Sequence, residues 1–303
     1  MKPRARAMWA WMWICALLLL CVAVTGCGTS SAQATGSTSA APASTAATPT
    51  SEAPTPATPT SAANRPANTD PKTIGLIGGI SWHSSIEYYR MLNEMVNARL
   101  GGLSSAKILL YSIEFGSFSR EEVQAEEGDW DELIATMVDA AQRLKRGGAD
   151  FIVICSNTMH SAAPAIENET SLRVVHIADA AAEAVRARGL STVALLGTKY
   201  TMEQPFCAER LTRQGLKVVT PNQSERDLIN SIIFYELCAG QIKDSSRQQF
   251  VAIINRLVRE EGAQGVILGC TEIPLLIGQD DVEVPVFDTM TIHAQAAAEA
   301  ALE

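Results

Sequence analysis

Two short stretches hold the residue types most suited to chemistry in this 303-residue chain. In FIVICSNTMH (151–160) an apolar run from Phe151 to Cys155 stops abruptly in Ser156, Asn157 and Thr158. In VILGCTEIP (266–274) a second apolar run stops in Cys270, Thr271 and Glu272. One tip presents a thiol; the other presents a hydroxyl with a thiol one step behind it. A thiol with a pKa near ~8.5, lowered by neighbours, serves as base or acid near neutral pH. A serine hydroxyl is a far poorer base unless something activates it. Asn157, Thr158, Thr271 and exposed backbone N–H groups would suit a carboxylate. Glu272 beside Cys270 reads two ways: as a group that holds or tunes a partner, or as an acid satisfied by a helix N-terminus.

Elements that would position these tips are legible as continuous apolar runs of strand length: 73–79, 106–113, 150–155, 173–177, 192–197, 265–269 and 284–287. Helical patterns lie between most of them. Residues 84–102 suggest a helix opening with a Ser84/Glu87 capping box, carrying Ile86, Tyr89, Leu92 and Val96 on one face and stopping at Gly101. Residues 129–148 start acidic and end basic before Gly147, as the helix dipole favours. Strands buried on both faces and alternating with helices imply an α/β fold with doubly wound parallel sheets. There is an internal echo, LIGG then CSNT, and LLGT then GCTE. It implies two similar subdomains, 72–177 and 178–288, with the C-terminal helix 289–303 joining the first. Ligands of open sheets sit at the carboxyl ends of strands, so the two tips are expected to enclose one small molecule.

Several classes are excluded or weakened. GLIGG does not match the dinucleotide fingerprint GxGxxG and lacks the acidic ribose partner. The acidic balance, a formal net charge of −9, argues against nucleic acid. Past the leader no stretch is long and apolar enough to span a bilayer. The four histidines form no metal-binding pattern, and no cofactor is implied. His160, two past Thr158, is a candidate for a site role, with His176 and His293 weaker ones. Cys155, Cys207, Cys238 and Cys270 show no CxxC, and both two disulfides and free functional thiols remain open.

The front of the chain reads as an export signal. Lys2, Arg4 and Arg6 precede an almost unbroken apolar run from Ala7 to Val24, and VTGC (24–27) places small residues before Cys27. This is similar to a bacterial lipoprotein signal, in which such a cysteine receives the lipid. Residues 1–26 are then a signal peptide, and the product is membrane-anchored outside the cytoplasm through Cys27. Losing the three cations takes the net charge from −9 to −12. Residues 27–71, rich in Ser, Thr, Ala and Pro, cannot bury enough surface to order themselves and are expected to form a tether.

IGLIGGISW, CSNTMH, LLGTKYTMEQ and GCTEIPLL, in this order, resemble the aspartate/glutamate racemase family over residues 72–302. The resemblance implies a cofactor-independent amino-acid racemase in which one cysteine from each subdomain flanks the substrate Cα. Cys270 falls at the second cysteine; the first is Ser156, and strand parity sends Cys155 into the core. The implied catalytic pair is therefore the unequal Cys270 and Ser156. Ser81, Asn157, Thr158, Thr198, Thr271 and Glu272 form the substrate-binding set, with Cys155, His160, Lys199 and Cys238 as further candidates. Cys238 stands where some aspartate-specific members have a lysine, and His83 where close relatives usually carry a glutamate. The substrate is thus aspartate, glutamate or a broader set of amino acids, with Lys199, Arg120 or His83 as recognition groups. A homodimer is admitted. Two alternatives stay open: a one-thiol decarboxylase or isomerase using Cys270, and an amino-acid-binding or inactive relative.

Overall fold

The computed structural model describes residues 70–125 and 130–303. The expected signal, Cys27 and nearly all of the tether lie outside the described residues. In chain order the elements begin with β1 (Ile74–Gly78), α1 (Trp82–Leu100), β2 (Ile108–Ser112), α2 (Phe115–Ala125), α3 (Asp131–Arg146), β3 (Phe151–Ile154) and α4 (Ala163–Thr170). They continue with α5 (Ile177–Ala187), β4 (Thr192–Gly197), α6 (Lys199–Glu203), α7 (Pro205–Arg213), β5 (Lys217–Val219) and α8 (Gln223–Tyr235). The chain ends with α9 (Asp244–Glu261), β6 (Val266–Gly269), β7 (Val286–Asp288) and α10 (Thr289–Leu302). Two parallel sheets result, one ordered β2-β1-β3 and the other β5-β4-β6-β7.

Each sheet is covered on both faces, which is why its central strands read as unbroken apolar runs. Alternation divides the first sheet cleanly. Ile74, Leu76, Phe151, Val153 and Cys155 pack beneath α1 and α10, while Ile77, Ile152 and Ile154 pack beneath α2 and α3. In the second sheet Ala194, Leu196, Val266 and Leu268 face α8 and α9, and Val193, Leu195 and Ile267 face α5 and α7. Ala294, Ala297, Ala298 and Ala301 of α10 are buried, and methyl side chains let this helix approach closely. Among the described residues, no helix is long and apolar enough to cross a membrane.

Three local expectations change. Residues 173–177 do not form a strand: Val174 makes a single parallel bridge to Ile152. His176 then ends the run, because its side chain accepts from the Ala178 N–H and caps α5. The edge strand β5 went unread, since three residues are too few to show a pattern.

Helix α1 starts at Trp82 with Ser81 as its cap, not Ser84. Ser84 is buried and donates to the carbonyls of Ser81 and Cys155, while Glu87 pairs with Arg90 at the surface. The buried face runs through Tyr88, Met91, Leu92 and Val96, leaving Ile86 and Tyr89 exposed. The β1 tip sets this rotation. Gly79 N–H donates to Ser85 Oγ at 2.8 Å, and a Cβ on Gly78 would lie 2.5 Å from that same oxygen. Only small residues on α1 fit there.

Candidate active site

Four strand ends converge on one cleft. Ile80 and Ser81 follow β1, Ser156 to Thr158 follow β3, Thr198 follows β4, and Cys270 to Glu272 follow β6; all line it. Strand register fixes which tip residues correspond. Ile77 of β1 pairs with Ile154, and Leu196 of β4 pairs with Leu268. The glycine after each first member, Gly78 or Gly197, aligns LIGG with LLGT. Two residues beyond Ile154 is Ser156; two beyond Leu268 is Cys270. Cys155 corresponds instead to Gly269 and is fully buried among Ile74, Leu76, Tyr88 and Val153, where burial pushes its thiol up.

The Cys270 tip is organised around a carboxylate. Glu272 Oε2 accepts from Cys270 Sγ at 3.2 Å and from Thr271 Oγ1 at 2.6 Å. Glu272 Oε1 lies 3.4 Å from Ser81 Oγ, which reaches it from the first sheet. Glu272 is therefore a hub of side-chain donors. Burial, then the charge of Glu272, hold the Cys270 thiol well above its usual range, so the resting side chain is a thiol with an acceptor beside its proton.

Among the described residues, the Ser156 tip has no such partner. Ser156 Oγ accepts from the Met159 N–H at 3.5 Å. His160 turns its ring to the backbone: Nδ1–H donates to the Ser156 carbonyl at 2.7 Å and Nε2 accepts from the Ile177 N–H at 3.2 Å. Burial, with His176 and His293 nearby, keeps that imidazole neutral. Both ring nitrogens are occupied, so His160 is structural and does not draw a proton from the Ser156 hydroxyl. His293 is structural too, bonded to Tyr88 Oη at 2.8 Å and to the Val175 carbonyl at 2.7 Å.

The other polar groups of the cleft are held by their neighbours. Thr158 and Thr198 hydroxyls meet at 3.1 Å across the two halves, and Thr198 continues to Thr201 at 3.2 Å. Asn157 Nδ2 donates to Thr289 Oγ1, whose own proton goes to the Leu268 carbonyl. That fixes the amide and leaves Oδ1 buried with no protein partner. Asn157 thus keeps an acceptor spare, suited to an ammonium rather than to the carboxylate expected of it. The Gly79 N–H is given to Ser85 Oγ.

The remaining candidates divide. Cys238 lines the cleft and is exposed by surface area; desolvation, then Glu272 and Glu122, push its thiol up to about 12. Lys199 does not line the cleft and pairs with Asp227 at 2.8 Å on the surface. Arg120 donates to the Gly116 carbonyl and is exposed. His83 stacks on Trp82 beside a wider recess of about 510 Å³, which shares Ser81, Cys238, Thr271 and Glu272 with the cleft. All four described cysteines are free.

Sequence reasoning missed Glu122, Phe115, Tyr200, Ile233 and Phe234, which complete the wall. A signal for Glu122 was present. Phe115, Phe118 and Glu122 recur at helical spacing on α2, placing a carboxyl on an otherwise apolar stripe. Desolvation holds that carboxyl up to about 7.

A family model described as Asp/Glu/hydantoin racemase matches residues 77–297. The chain belongs to this racemase family. Among solved structures it is similar to a candidate Asp/Glu racemase from Yersinia pestis, at 48% identity and a TM-score of 0.72, over 77% of this chain and 100% of that one. An aspartate racemase homologue from Pyrococcus horikoshii OT3 is 39% identical with a TM-score of 0.66, over 77% of this chain and 100% of that one. The broad-specificity amino-acid racemase RacX of Bacillus subtilis is 23% identical over 55% of this chain and 72% of its own. The α/β fold with its parallel sheets is the scaffold this chain shares with those racemase structures.

Proposed function

We propose that this protein is a cofactor-independent amino-acid racemase with unequal acid/base groups, Cys270 on one face of the substrate Cα and Ser156 on the other. The observation that carries this reading is the register equivalence of Ser156 and Cys270 at one cleft. Glu272 accepts the thiol proton, the thiolate takes the α-proton, and the C–H electron pair moves into the carboxylate as an enediolate. The hydroxyls of Thr158 and Thr198 and nearby N–H groups stabilise that charge, while Asn157 Oδ1 receives the α-ammonium. A proton returned from the Ser156 side gives the opposite enantiomer.

The reading has a direct test. Among the described residues Ser156 has no activating base, so a proton removed by Cys270 returns mostly to its original face. In deuterium oxide, the enantiomer whose α-proton faces Cys270, taken as L, exchanges faster than D-product appears. The D-enantiomer exchanges slowly. Equal wash-in from both, followed by NMR, would overturn the unequal pair.

Lipid attachment at Cys27 is part of the proposal, supported by the charged, apolar and small-residue pattern before it. Cys27→Ser is expected to leave the precursor unlipidated with its signal uncleaved, read by mass and membrane fractionation. Cleavage of the wild-type precursor at another site, releasing an unlipidated soluble domain, would refute it.

A further inference from the structure

The cleft that would hold the substrate carries a charge pattern that selects among side chains. Of the described residues lining it, Glu122 and Glu272 are the ionisable carboxyls, and none is a lysine or arginine. The nearby cations are committed elsewhere: Lys199 to Asp227, Lys243 to Glu236, Arg120 to a carbonyl of its own helix, and Arg247 to the Leu276 carbonyl. Glu272 is occupied by Cys270, Thr271 and Ser81. Glu122 also lines the cleft, as do the apolar Phe115, Ile233 and Phe234. Asn157 Oδ1 is buried with no protein partner, and the racemase reading gives it the α-ammonium, which leaves the substrate's side chain to the rest of the lining.

Resting on the racemase reading above, we infer that the preferred substrates are amino acids whose side chain is an apolar stem ending in a cation, the lysine, ornithine and arginine class, and that Glu122 determines this specificity. The stem lies along Phe115, Ile233 and Phe234, as long cationic side chains lie on apolar surface, and the cation meets Glu122. An acidic side chain would bring a third carboxylate into a wall with no cation to receive it. Desolvation holds the Glu122 carboxyl up to about 7. A cation beside it restores the ionised form, so the site recognises charge without carrying a permanently buried, unpaired carboxylate.

The experiment measures α-proton exchange in deuterium oxide and, separately, thermal stabilisation, for L-lysine, L-arginine, L-norleucine, L-aspartate and L-glutamate. The protein is the lipid-free chain from residue 28. Lysine and arginine are expected to exceed aspartate and glutamate by about tenfold or more in kcat/KM, through KM. Glu122→Gln lowers kcat/KM for lysine about tenfold more than for norleucine, and Glu122→Lys shifts preference toward aspartate. Aspartate turned over as well as lysine, or a Glu122→Gln effect equal for lysine and norleucine, would overturn the inference while leaving racemisation intact. Absence of exchange with every amino acid, together with stabilisation by lysine but not aspartate, would overturn the racemase reading and leave the specificity standing. Stabilisation by aspartate and not lysine would overturn the specificity by itself.

Discussion

The Ser156 tip and the Cys270 tip occupy equivalent places in two parallel sheets and are supported differently. Both residues lie two positions past a register partner of a central strand, and both line one cleft. Cys270 has a carboxylate 3.2 Å from its sulfur, itself anchored by hydroxyls from both halves. Ser156 has a backbone N–H at its oxygen, and the imidazole beside it is spent on main-chain bonds. Duplication of a fold repeats positions; it does not repeat reactivity. Reactivity follows the partners, and here they are built on one side.

The largest expected effect tests that asymmetry. Cys270→Ala removes the supported group and is expected to lower α-proton exchange by about 10³-fold, within the range for a positioned acid or base. Ser156→Cys supplies a second thiol and is expected to raise formation of the opposite enantiomer by about 10²-fold. Chiral chromatography of product and NMR wash-in measure both. If Ser156→Ala proves as damaging as Cys270→Ala to exchange from the L-enantiomer, the two tips are not unequal and the comparison fails.

Much of this was legible in the sequence because burial on both faces leaves a plain signature. The central strands, the LIGG and LLGT echo and the two polar tips could be read from apolar runs ending in small residues. Strand parity also placed Cys155 away from Ser156. What escaped depends on tertiary contact. The rotation of α1 is set by Ser84 and Ser85 against the β1 tip, a packing constraint that no apolar periodicity of the helix itself records. The role of His160 depends on the Ile177 N–H, brought in from a distant turn. Glu122 reaches the cleft from a helix that ends no strand, so a reading of strand tips passed over it.

A second expected difference concerns acid. Buried histidines gather beside the Ser156 tip: His160 holds its carbonyl, and the His176 and His293 rings meet His160 tilted and edge-on. Burial lowers all three, His293 to about 4 and His176 to about 3. The unfolded chain has ordinary imidazoles near 6.5 and binds more protons between those values. Stability is therefore fully present above about 6.5 and is lost as pH falls toward 4, by about 1.4 kcal/mol per pH unit for each histidine kept neutral. Denaturant unfolding at several pH values measures the slope, and imidazole NMR identifies the groups. A flat profile from 6.5 to 5, or a buried histidine titrating at its ordinary value, would remove this support from the Ser156 side.

The smallest effect sharpens the comparison at its narrowest point, one residue along the same strand. Cys155 lies on the face of β3 that carries Phe151 and Val153, with no exposed surface and with Tyr88 against it. Cys155→Ala leaves a small void in that core and is expected to cost about 1–2 kcal/mol of stability, seen as a lower melting temperature. Exchange and racemisation should stay at the wild-type level, because the sulfur does not reach the cleft and its thiol is held protonated by burial. The opposite outcome is equally clear. If Cys155→Ala removes turnover as Cys270→Ala does while melting is unchanged, the chain bulges at Ser156 during the reaction. The thiol behind the serine would then be the true partner of Cys270, and the two tips would be chemically matched after all.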